Sequence, residues 1–374
     1  MTRVIDYSAP GDHRTVVQAA LDAIREPQLV GLPSESGYLL ATSSVNADGV
    51  SRLIDLARSV NRPLNLCLAD AGQVEDYIDR VPPSAKRLAQ RSWPGPVILE
   101  FASTSKWVGP PLAGPLVAHL ESQPLRFASF GHPIHVGLSR VLREPLVAVE
   151  MPAPGGGSWA AADGLELAQK WGEWIGLIVN AGFVSCPQGA TAVHFTQTGE
   201  WSIAQPGVYS ETQIAQLMAK LVVFVCTGNT CRSPMAEGLF RSLLCQRLEC
   251  VEEELIRRGY MVSSAGVAAF PGAPASPETL DILREEGIDL SDHTSQPVTE
   301  QLVAWADMIL AMTSRHHSAV AGAFPLSASK VELVCVDGYD IPDPIGGDYS
   351  VYAECRDQIR QCLEHWLDRV LSED

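Results

Sequence analysis

Apolar and polar residues change period along the chain in a way that predicts alternating strands and helices. Residues 14–25 have the 3.6-residue spacing of an amphipathic helix, whereas residues 29–33 form the short apolar run of a buried strand. Similar patterns predict a helix at 49–59, helical structure around 162–175, and strands at 63–69, 97–101, 145–151 and 191–195. The first half is therefore expected to be a mixed α/β domain.

The second half alternates more regularly. Predicted strands at 221–226, 260–264, 307–312 and 331–336 are each followed by a predicted helix, at 234–248, 276–286, 314–321 and 350–371. This order predicts a parallel sheet with helices on both faces. Ser210 and Gln213 have capping-box spacing, which predicts a short helix over 211–219. Because 374 residues exceed the usual size of one core, we expect two domains, 1–210 and 221–374.

The two halves of the chain differ in net charge. Residues 1–220 contain 16 basic and 20 acidic side chains, a net charge of -4, whereas residues 221–374 contain 11 and 24, a net charge of -13. An acidic surface repels phosphate backbones, so nucleic acid is not expected to bind the second half. The first half has no clear basic stripe for RNA either.

Targeting and ligand signals are sparse. No run of about 20 apolar residues is present and the first 14 residues lack an apolar signal segment, so we expect a cytoplasmic protein without a membrane partner. Nine cysteines without framework spacing are not expected to form a disulfide scaffold. The nine histidines predict no metal site, and the adjacent His316 and His317 are expected to be solvated helix residues.

The chemistry-bearing pattern is a C-x5-R loop, Cys226 to Arg232, between a predicted strand and a predicted helix. Backbone N–H groups at a helix amino terminus bind anions, and a guanidinium adds a bidentate contact to phosphate oxygens. The same field favours the thiolate form of Cys226, which makes it the candidate nucleophile. The remaining predicted phosphate-binding residues are Thr227, Gly228, Asn229, Thr230, Cys231 and Ser233.

Phosphoryl transfer to sulfur also needs a proton donor for the leaving group and later a base for water. Asp343 is the best candidate because it follows a predicted strand and lies between two prolines. Asp337 and Asp340 are nearby alternatives, and a solvated loop carboxylate is the competing interpretation for all three.

Residues 225–237 (VCTGNTCRSPMAE), 263–267 (SSAGV), 293–299 (HTSQPVT), 307–313 (DMILAMT) and 343–347 (DPIGG) together resemble the low-molecular-weight protein phosphatases. The resemblance implies a four-stranded parallel sheet, a phosphocysteine on Cys226, phosphate binding by Arg232, and acid and then base catalysis by Asp343. It implies a phosphorylated protein as substrate and no metal or organic cofactor.

Within that family, Thr230 and the Gly-Gly pair after Asp343-Pro344 resemble the protein-arginine phosphatase branch, although Ile345 stands where that branch often has Phe. Phosphoarginine is therefore expected, with phosphotyrosine as the alternative. The related thioredoxin-coupled arsenate reductases use two further cysteines. Cys355 and Cys362 are seven residues apart on one predicted helix face, so buried packing is the preferred interpretation of that pair.

The first half resembles the YrdC-like threonylcarbamoyl-AMP synthase family. Residues 33–38 are similar to its PTETVYG motif, Arg58 and Arg62-Pro63 to its KxRxxxKP segment, residues 93–97 to its PGP strand entry, and residues 190–193 to its STVV motif. The ligand-site residues implied by this resemblance are Ser34, Ser36, Tyr38, Arg58, Arg62 and Thr191.

Several polar residues of that family's motifs are replaced here. Leu56, Ala190 and Gln205 stand at positions where the family has Lys, Ser and Arg, and residues 151–153 (MPA) replace its SAN segment. Losing charge weakens nucleotide binding, so a degenerate domain is expected. The alternatives are a bifunctional protein that also makes threonylcarbamoyl-AMP from ATP, threonine and bicarbonate, and a phosphatase regulated by nucleotide or RNA bound at this domain.

Overall fold

The computed structural model describes residues 2–7, 13–103, 105–152, 163–183 and 188–372. By its internal contacts the chain divides into two units, Met1–Met218 and Ala219–Asp374. Ala153, one of the residues in the predicted SAN replacement, lies outside the described residues. In the described ranges, every helix is too short or too polar to cross a bilayer.

The amino-terminal unit is a mixed α/β fold. Its strands are β1 Arg3–Asp6, β2 Leu29–Pro33, β3 Tyr38–Ser43, β4 Leu64–Cys67, β5 Gly95–Phe101, β6 Leu125–Ser129, β7 Leu146–Glu150, β8 Ile175–Asn180, β9 Thr191–Phe195 and β10 Trp201–Gln205. Its helices are α1 His13–Ile24, α2 Ala47–Val60, α3 Val74–Tyr77, α4 Pro83–Ser92, α5 Gly114–Leu120, α6 Pro133–Ser139, α7 Gly164–Trp171 and α8 Glu211–Met218.

These strands form one sheet in the order β1-β8-β2-β3-β7-β4-β6-β5-β9-β10. The pairings β1/β8, β2/β8, β4/β6 and β5/β9 are parallel, and the others are antiparallel. Every residue of β2, β3 and β7 is buried, including the polar residues Thr42, Ser43 and Glu150. At α8, the Ser210 N–H donates to Gln213 Oε1 at 2.9 Å and the Gln213 N–H donates to Ser210 Oγ at 3.3 Å, as the predicted capping box requires.

The carboxy-terminal unit has four parallel strands, as the sequence predicts. They are β11 Lys220–Cys226, β12 Tyr260–Gly266, β13 Met308–Ala311 and β14 Val331–Leu333, in the order β12-β11-β13-β14. The helices are α9 Arg232–Leu248, α10 Pro277–Glu285, α11 Glu300–Trp305, α12 Ser314–Ala323 and α13 Tyr349–Ser372.

The period of two in β11 determines which way its last residue faces. Val222, Phe224 and Cys226 belong to the core cluster that contains side chains of α9 and α13. Leu221, Val223 and Val225 belong to a second cluster with side chains of α11 and α12. Because both faces are covered, β11 is apolar from Leu221 to Cys226, and Cys226 reaches the carboxyl edge of the sheet on the α9 side.

The cysteines require a correction. Cys335 and Cys362 form a disulfide, although the sequence pattern gave no reason to expect one. The two residues are separated by 27 positions and meet only because α13 packs against the segment that follows β14. Cys362 is buried, as predicted, but its sulfur is bonded to Cys335 rather than available beside Cys355.

Candidate active site

The phosphate loop, residues 226–233, lies where β11 ends and α9 begins. β11 is an inner strand, flanked by β12 and β13, so the loop emerges from the middle of the carboxyl edge, the usual ligand position of a parallel sheet. Asn229 has a left-handed backbone with φ of 58°, which turns the chain back toward the helix. α9 starts at Arg232, so the loop stands at a helix amino terminus.

The Cys226 sulfur is buried and has two polar neighbours. The Asn229 N–H donates to Cys226 Sγ at 3.2 Å, and Ser233 Oγ lies 3.0 Å from the same sulfur. Hydrogen bonds of this kind stabilise a negative charge on sulfur. The thiol faces into the loop at the helix amino terminus rather than away from it.

Asn229 stabilises the loop through hydrogen bonds of its side chain and its backbone carbonyl. Its side-chain amide donates to Ser233 Oγ at 3.0 Å and to Ser264 Oγ at 2.7 Å, and its Oδ1 accepts the Gln296 N–H at 2.9 Å. The backbone carbonyl of Asn229 lies 2.9 Å from Nε2 of His293. Ser264, His293 and Gln296 lie within the quoted motifs, but their roles depend on contacts 30 to 70 residues away that no local pattern encodes.

Arg232 and Asp343 meet at the mouth of the loop. Arg232 Nη2 donates to Asp343 Oδ2 at 2.5 Å, and Nη1 donates to the Ile341 carbonyl at 3.1 Å. The Arg232 side chain is only 6% exposed, whereas that of Asp343 is 43% exposed. Of the alternatives, Asp340 accepts the Ser314 N–H at 2.6 Å and Asp337 is exposed, so Asp343 is the carboxylate beside the guanidinium.

Thr230 and Cys231 complete the loop. Thr230 Oγ1 lies 3.7 Å from Cys231 Sγ, and the Thr230 carbonyl accepts the Ser276 N–H at 2.8 Å. Cys231 Sγ lies 3.5 Å from the hydroxyls of Ser276 and Tyr352. Burial and the contact with Cys231 raise the pKa of Tyr352 to about 12.

The expectation that His316 is solvated was wrong. Its side chain is buried, with Nε2 2.8 Å from Thr227 Oγ1 and Nδ1 2.9 Å from Thr313 Oγ1. Burial, and secondly the nearby Arg232 charge, lower the pKa of His316 to about 4. The signal in the sequence is its position, in the first turn of the helix that follows β13 at the same sheet edge as Cys226. His317 instead lies 3.1 Å from the Val331 carbonyl through Nε2.

In the amino-terminal unit, four of the predicted ligand residues form internal contacts. Ser34 Oγ donates to the Gly37 carbonyl at 2.7 Å, and Ser36 Oγ donates to Glu150 at 3.4 Å. Tyr38 donates to the Gly182 carbonyl at 2.9 Å, and Thr191 Oγ1 accepts the Tyr209 N–H at 2.9 Å. All four of these predicted side chains are buried.

The two predicted arginines lie at the carboxyl end of α2, where the charge of Arg62 is close enough to Glu150 to oppose the raised pKa of that carboxyl. Arg58 and Arg62 line a cavity of about 460 Å³ together with His119 of α5. Asn61, in a left-handed conformation with φ of 51°, ends α2 between them. Arg58 is largely exposed and lies 3.7 Å from Asp55, whereas Leu56 is buried.

A buried charged cluster in this unit was not predicted. Arg126 donates to Glu100 at 2.7 Å and to Asn65 at 3.0 Å. Gln205 donates to Glu150 at 3.3 Å and accepts from Arg126 at 3.4 Å. Burial raises the pKa of Glu150 and lowers that of Arg126, while their mutual attraction opposes both shifts. The residues come from five different strands, which is why no sequence spacing indicates the cluster.

Two family models match the chain. The model described as "Low molecular weight phosphotyrosine protein phosphatase" matches residues 221–374, and the Sua5/YciO/YrdC model, described as "Telomere recombination", matches residues 22–207. The loop at the edge of a four-stranded parallel sheet fits the first of these. Through its carboxy-terminal unit, the chain belongs to the low molecular weight phosphotyrosine protein phosphatase family, a family of hydrolases. The amino-terminal unit is YrdC-like.

Individual relatives cover the carboxy-terminal unit. A protein-arginine-phosphatase of Bacillus subtilis (strain 168) is 40% identical over 157 residues, which are 41% of this chain and 97% of that protein. The probable low molecular weight protein-tyrosine-phosphatase EpsP of Ralstonia nicotianae is 32% identical over 154 residues, again 41% of this chain and 97% of the relative. A solved structure of a YwlE mutant from Bacillus subtilis is 35% identical, with a TM-score of 0.37, over 41% of this chain and 100% of that one.

Proposed function

We propose that the carboxy-terminal unit is a protein-arginine phosphatase that acts through a phosphocysteine on Cys226. The observation that carries this proposal is the convergence of a buried, hydrogen-bonded thiol, a guanidinium and a carboxylate at one helix amino terminus. The proposed reaction uses no metal ion and no organic cofactor.

The proposed chemistry has two steps. First, the Cys226 sulfur attacks phosphorus, an S–P bond forms, and the bond from phosphorus to the arginine nitrogen breaks while protonated Asp343 gives its proton to that nitrogen. Second, the Asp343 carboxylate takes a proton from water, whose oxygen attacks phosphorus. The S–P bond then breaks, releasing inorganic phosphate and restoring the thiolate.

In the proposed cycle, Arg232 binds Asp343 before the substrate arrives and the phosphoryl group afterwards. Its guanidinium binds Asp343 and the Ile341 carbonyl in the structure, and both contacts use the groups that would bind phosphate oxygens. Since a phosphoryl group competes for those donors, we expect substrate to open the ion pair. Opening it frees Asp343 to reach the leaving nitrogen.

Four features favour phosphoarginine over phosphotyrosine. Thr230 places a hydroxyl beside Cys231 in the phosphate loop, and the residues after Pro344 are Ile345 and two glycines rather than aromatic side chains that stack on a phenol. The net charge of -13 over residues 221–374 suits a cationic guanidinium. The relative that is 40% identical is named a protein-arginine-phosphatase.

A direct comparison of kcat/KM for phosphoarginine and phosphotyrosine peptides tests this assignment. Wild type is expected to prefer phosphoarginine, and Cys226→Ser is expected to hydrolyse neither. Thr230→Ile should shift the preference toward phosphotyrosine, whereas Thr230→Ser, which keeps the hydroxyl, should not. A preference for phosphotyrosine in wild type, or an unchanged ratio in Thr230→Ile, contradicts the phosphoarginine assignment.

The buried cluster supports a second proposal, that the amino-terminal unit is a degenerate YrdC-like domain. Gln205 donates to Glu150, next to the replaced SAN segment, and to the Ala190 carbonyl, and it accepts from Arg126. Ser36 also donates to Glu150. We expect no pyrophosphate release from ATP in the presence of threonine and bicarbonate, and release would instead support the bifunctional alternative. A change in phosphatase rate on adding ATP or RNA would support the regulatory one.

A further inference from the structure

His316 is the buried group beside the phosphate loop that the proposed reaction does not use. It lies in the first turn of α12 and is 4% exposed. Its ring joins two threonine hydroxyls, Thr313 on one side and Thr227 on the other, at 2.9 and 2.8 Å. Thr227 directly follows Cys226, so the ring bonds to the first residue of the loop after the nucleophile.

The direction of the two hydrogen bonds follows from the helix cap. Thr313 Oγ1 accepts the backbone N–H of His316 at 3.3 Å, as an N-cap residue does, so its own hydroxyl proton is available for Nδ1. With its pKa lowered to about 4, the ring is neutral at physiological pH and carries one proton. That proton is then on Nε2, which donates to Thr227 Oγ1.

The segment that holds His316 also holds the loop that carries Asp343. The Ile341 N–H donates to the Met312 carbonyl at 2.9 Å, and Ser314 donates to Asp340 from its N–H and its hydroxyl. One short segment, residues 312–316, therefore bonds to the phosphate loop through the His316 side chain and to the Asp343 loop through its backbone and the Ser314 hydroxyl.

We propose that His316 is a positioning residue. Its hydrogen bond to Thr227 fixes the position of the Cys226 end of the phosphate loop relative to Asp343. This inference rests on the proposed phosphatase reaction. His316 itself exchanges no proton with substrate, and its effect passes through the Thr227 hydroxyl.

Four variants test the proposal. His316→Ala should lower kcat/KM and weaken inhibition by inorganic phosphate, each by about tenfold, the size expected for one buried hydrogen bond that orients a loop. His316→Gln, whose amide N–H can reach toward Thr227, should recover most of the loss. Thr227→Val removes the acceptor and should match His316→Ala, and the double variant His316→Ala with Thr227→Val should be no worse than either single one.

His317→Ala is the matched control, because the neighbouring ring contacts the Val331 carbonyl and not the loop. It should leave both constants unchanged. Wild-type constants for His316→Ala, or losses that multiply in the double variant, would overturn the proposal. If His316→Ala does not fold, Thr227→Val and His316→Gln decide the question on the same two constants.

Phosphate binding separates this proposal from the proposed function. If wild type hydrolyses neither peptide, the phosphatase assignment fails, whereas calorimetric binding of inorganic phosphate to the same variants still measures the effect of His316 on the loop. Equal phosphate affinity in wild type, His316→Ala and Thr227→Val would then overturn the positioning role.

Discussion

Both units bring charged side chains together next to their sheet, but the partners that neutralise these charges differ in their exposure to solvent. In the carboxy-terminal unit, Arg232 is buried and its carboxylate partner Asp343 is 43% exposed, at the end of a loop. In the amino-terminal unit, Arg126 is 5% exposed and Glu100 is 12% exposed, and Glu150 and Gln205 are buried beside them. The first arrangement can exchange a partner for a ligand, and the second cannot do so without breaking its core.

The solvent exposure of the partner distinguishes a ligand-binding site from a structural cluster better than the types of residue do. A buried charge without a partner costs several kcal/mol, so a cluster in which each buried charged group has a partner within the cluster is held in place by that cost. An ion pair with one exposed member can open, because water replaces the lost partner on that side. The following predictions test whether the two centres differ in this way.

Asp343→Asn should have the largest effect on turnover. Losing the proposed acid and base is expected to lower kcat by about a thousandfold. Inhibition by inorganic phosphate should be unchanged or stronger, because Arg232 loses its competing carboxylate. Steady-state kinetics with a phosphate titration measure both quantities, and Asp337→Asn, at an exposed position of the same loop, is the control. An equal loss of turnover and phosphate affinity would remove Asp343 from the acid role.

Arg126→Met should destabilise the amino-terminal unit by roughly 3 to 5 kcal/mol, because Glu100 and Glu150 would remain buried without their cation. Urea unfolding followed by tryptophan fluorescence measures the loss, while phosphatase activity should stay at the wild-type level. Arg52→Met, on the exposed side of α2, is the control. If Arg126→Met is as stable as this control, the cluster is not a structural one.

Reduction of the Cys335–Cys362 bond should lower the stability of the carboxy-terminal unit by about 3.5 kcal/mol, the amount expected for a loop of this size. Urea unfolding with and without dithiothreitol checks it. Cys335→Ser should show the reduced stability under both conditions, and Cys67→Ser should respond to reductant as wild type does. No effect of reductant on wild type would mean that the bond does not contribute.

Acid should weaken the amino-terminal unit through His135. This ring is buried against the Pro33 carbonyl, and burial lowers its pKa from 6.5 to about 3. The unfolded chain therefore binds a proton between pH 6.5 and 3 that the folded unit does not. The contribution of His135 to stability is complete above pH 6.5, falls by about 1.4 kcal/mol for each pH unit between pH 6.5 and 3, and changes no further below pH 3. His135→Gln should remove this part of the slope in unfolding experiments, and an identical slope would contradict the assignment.

Local sequence determined much of this protein. The apolar run ending at Cys226, the C-x5-R spacing and the capping box of Ser210 and Gln213 concern residues that are close along the chain. Their geometry follows from backbone rules that operate over a few residues, and the predicted helices 14–25 and 350–371 correspond to α1 and α13. The four-stranded parallel sheet followed from the order of those elements.

Tertiary structure alone decided the rest. The burial of His316 against Thr227, the bond between Cys335 and Cys362, and the cluster around Arg126 each join residues between 26 and 89 positions apart. Strands β1, β3, β6, β8 and β10 were not predicted for the same reason, since their pairing partners and not their own patterns make them strands. Local sequence fixes backbone conformation and the face that a side chain takes, whereas only packing brings distant faces together and decides which polar groups remain for a ligand.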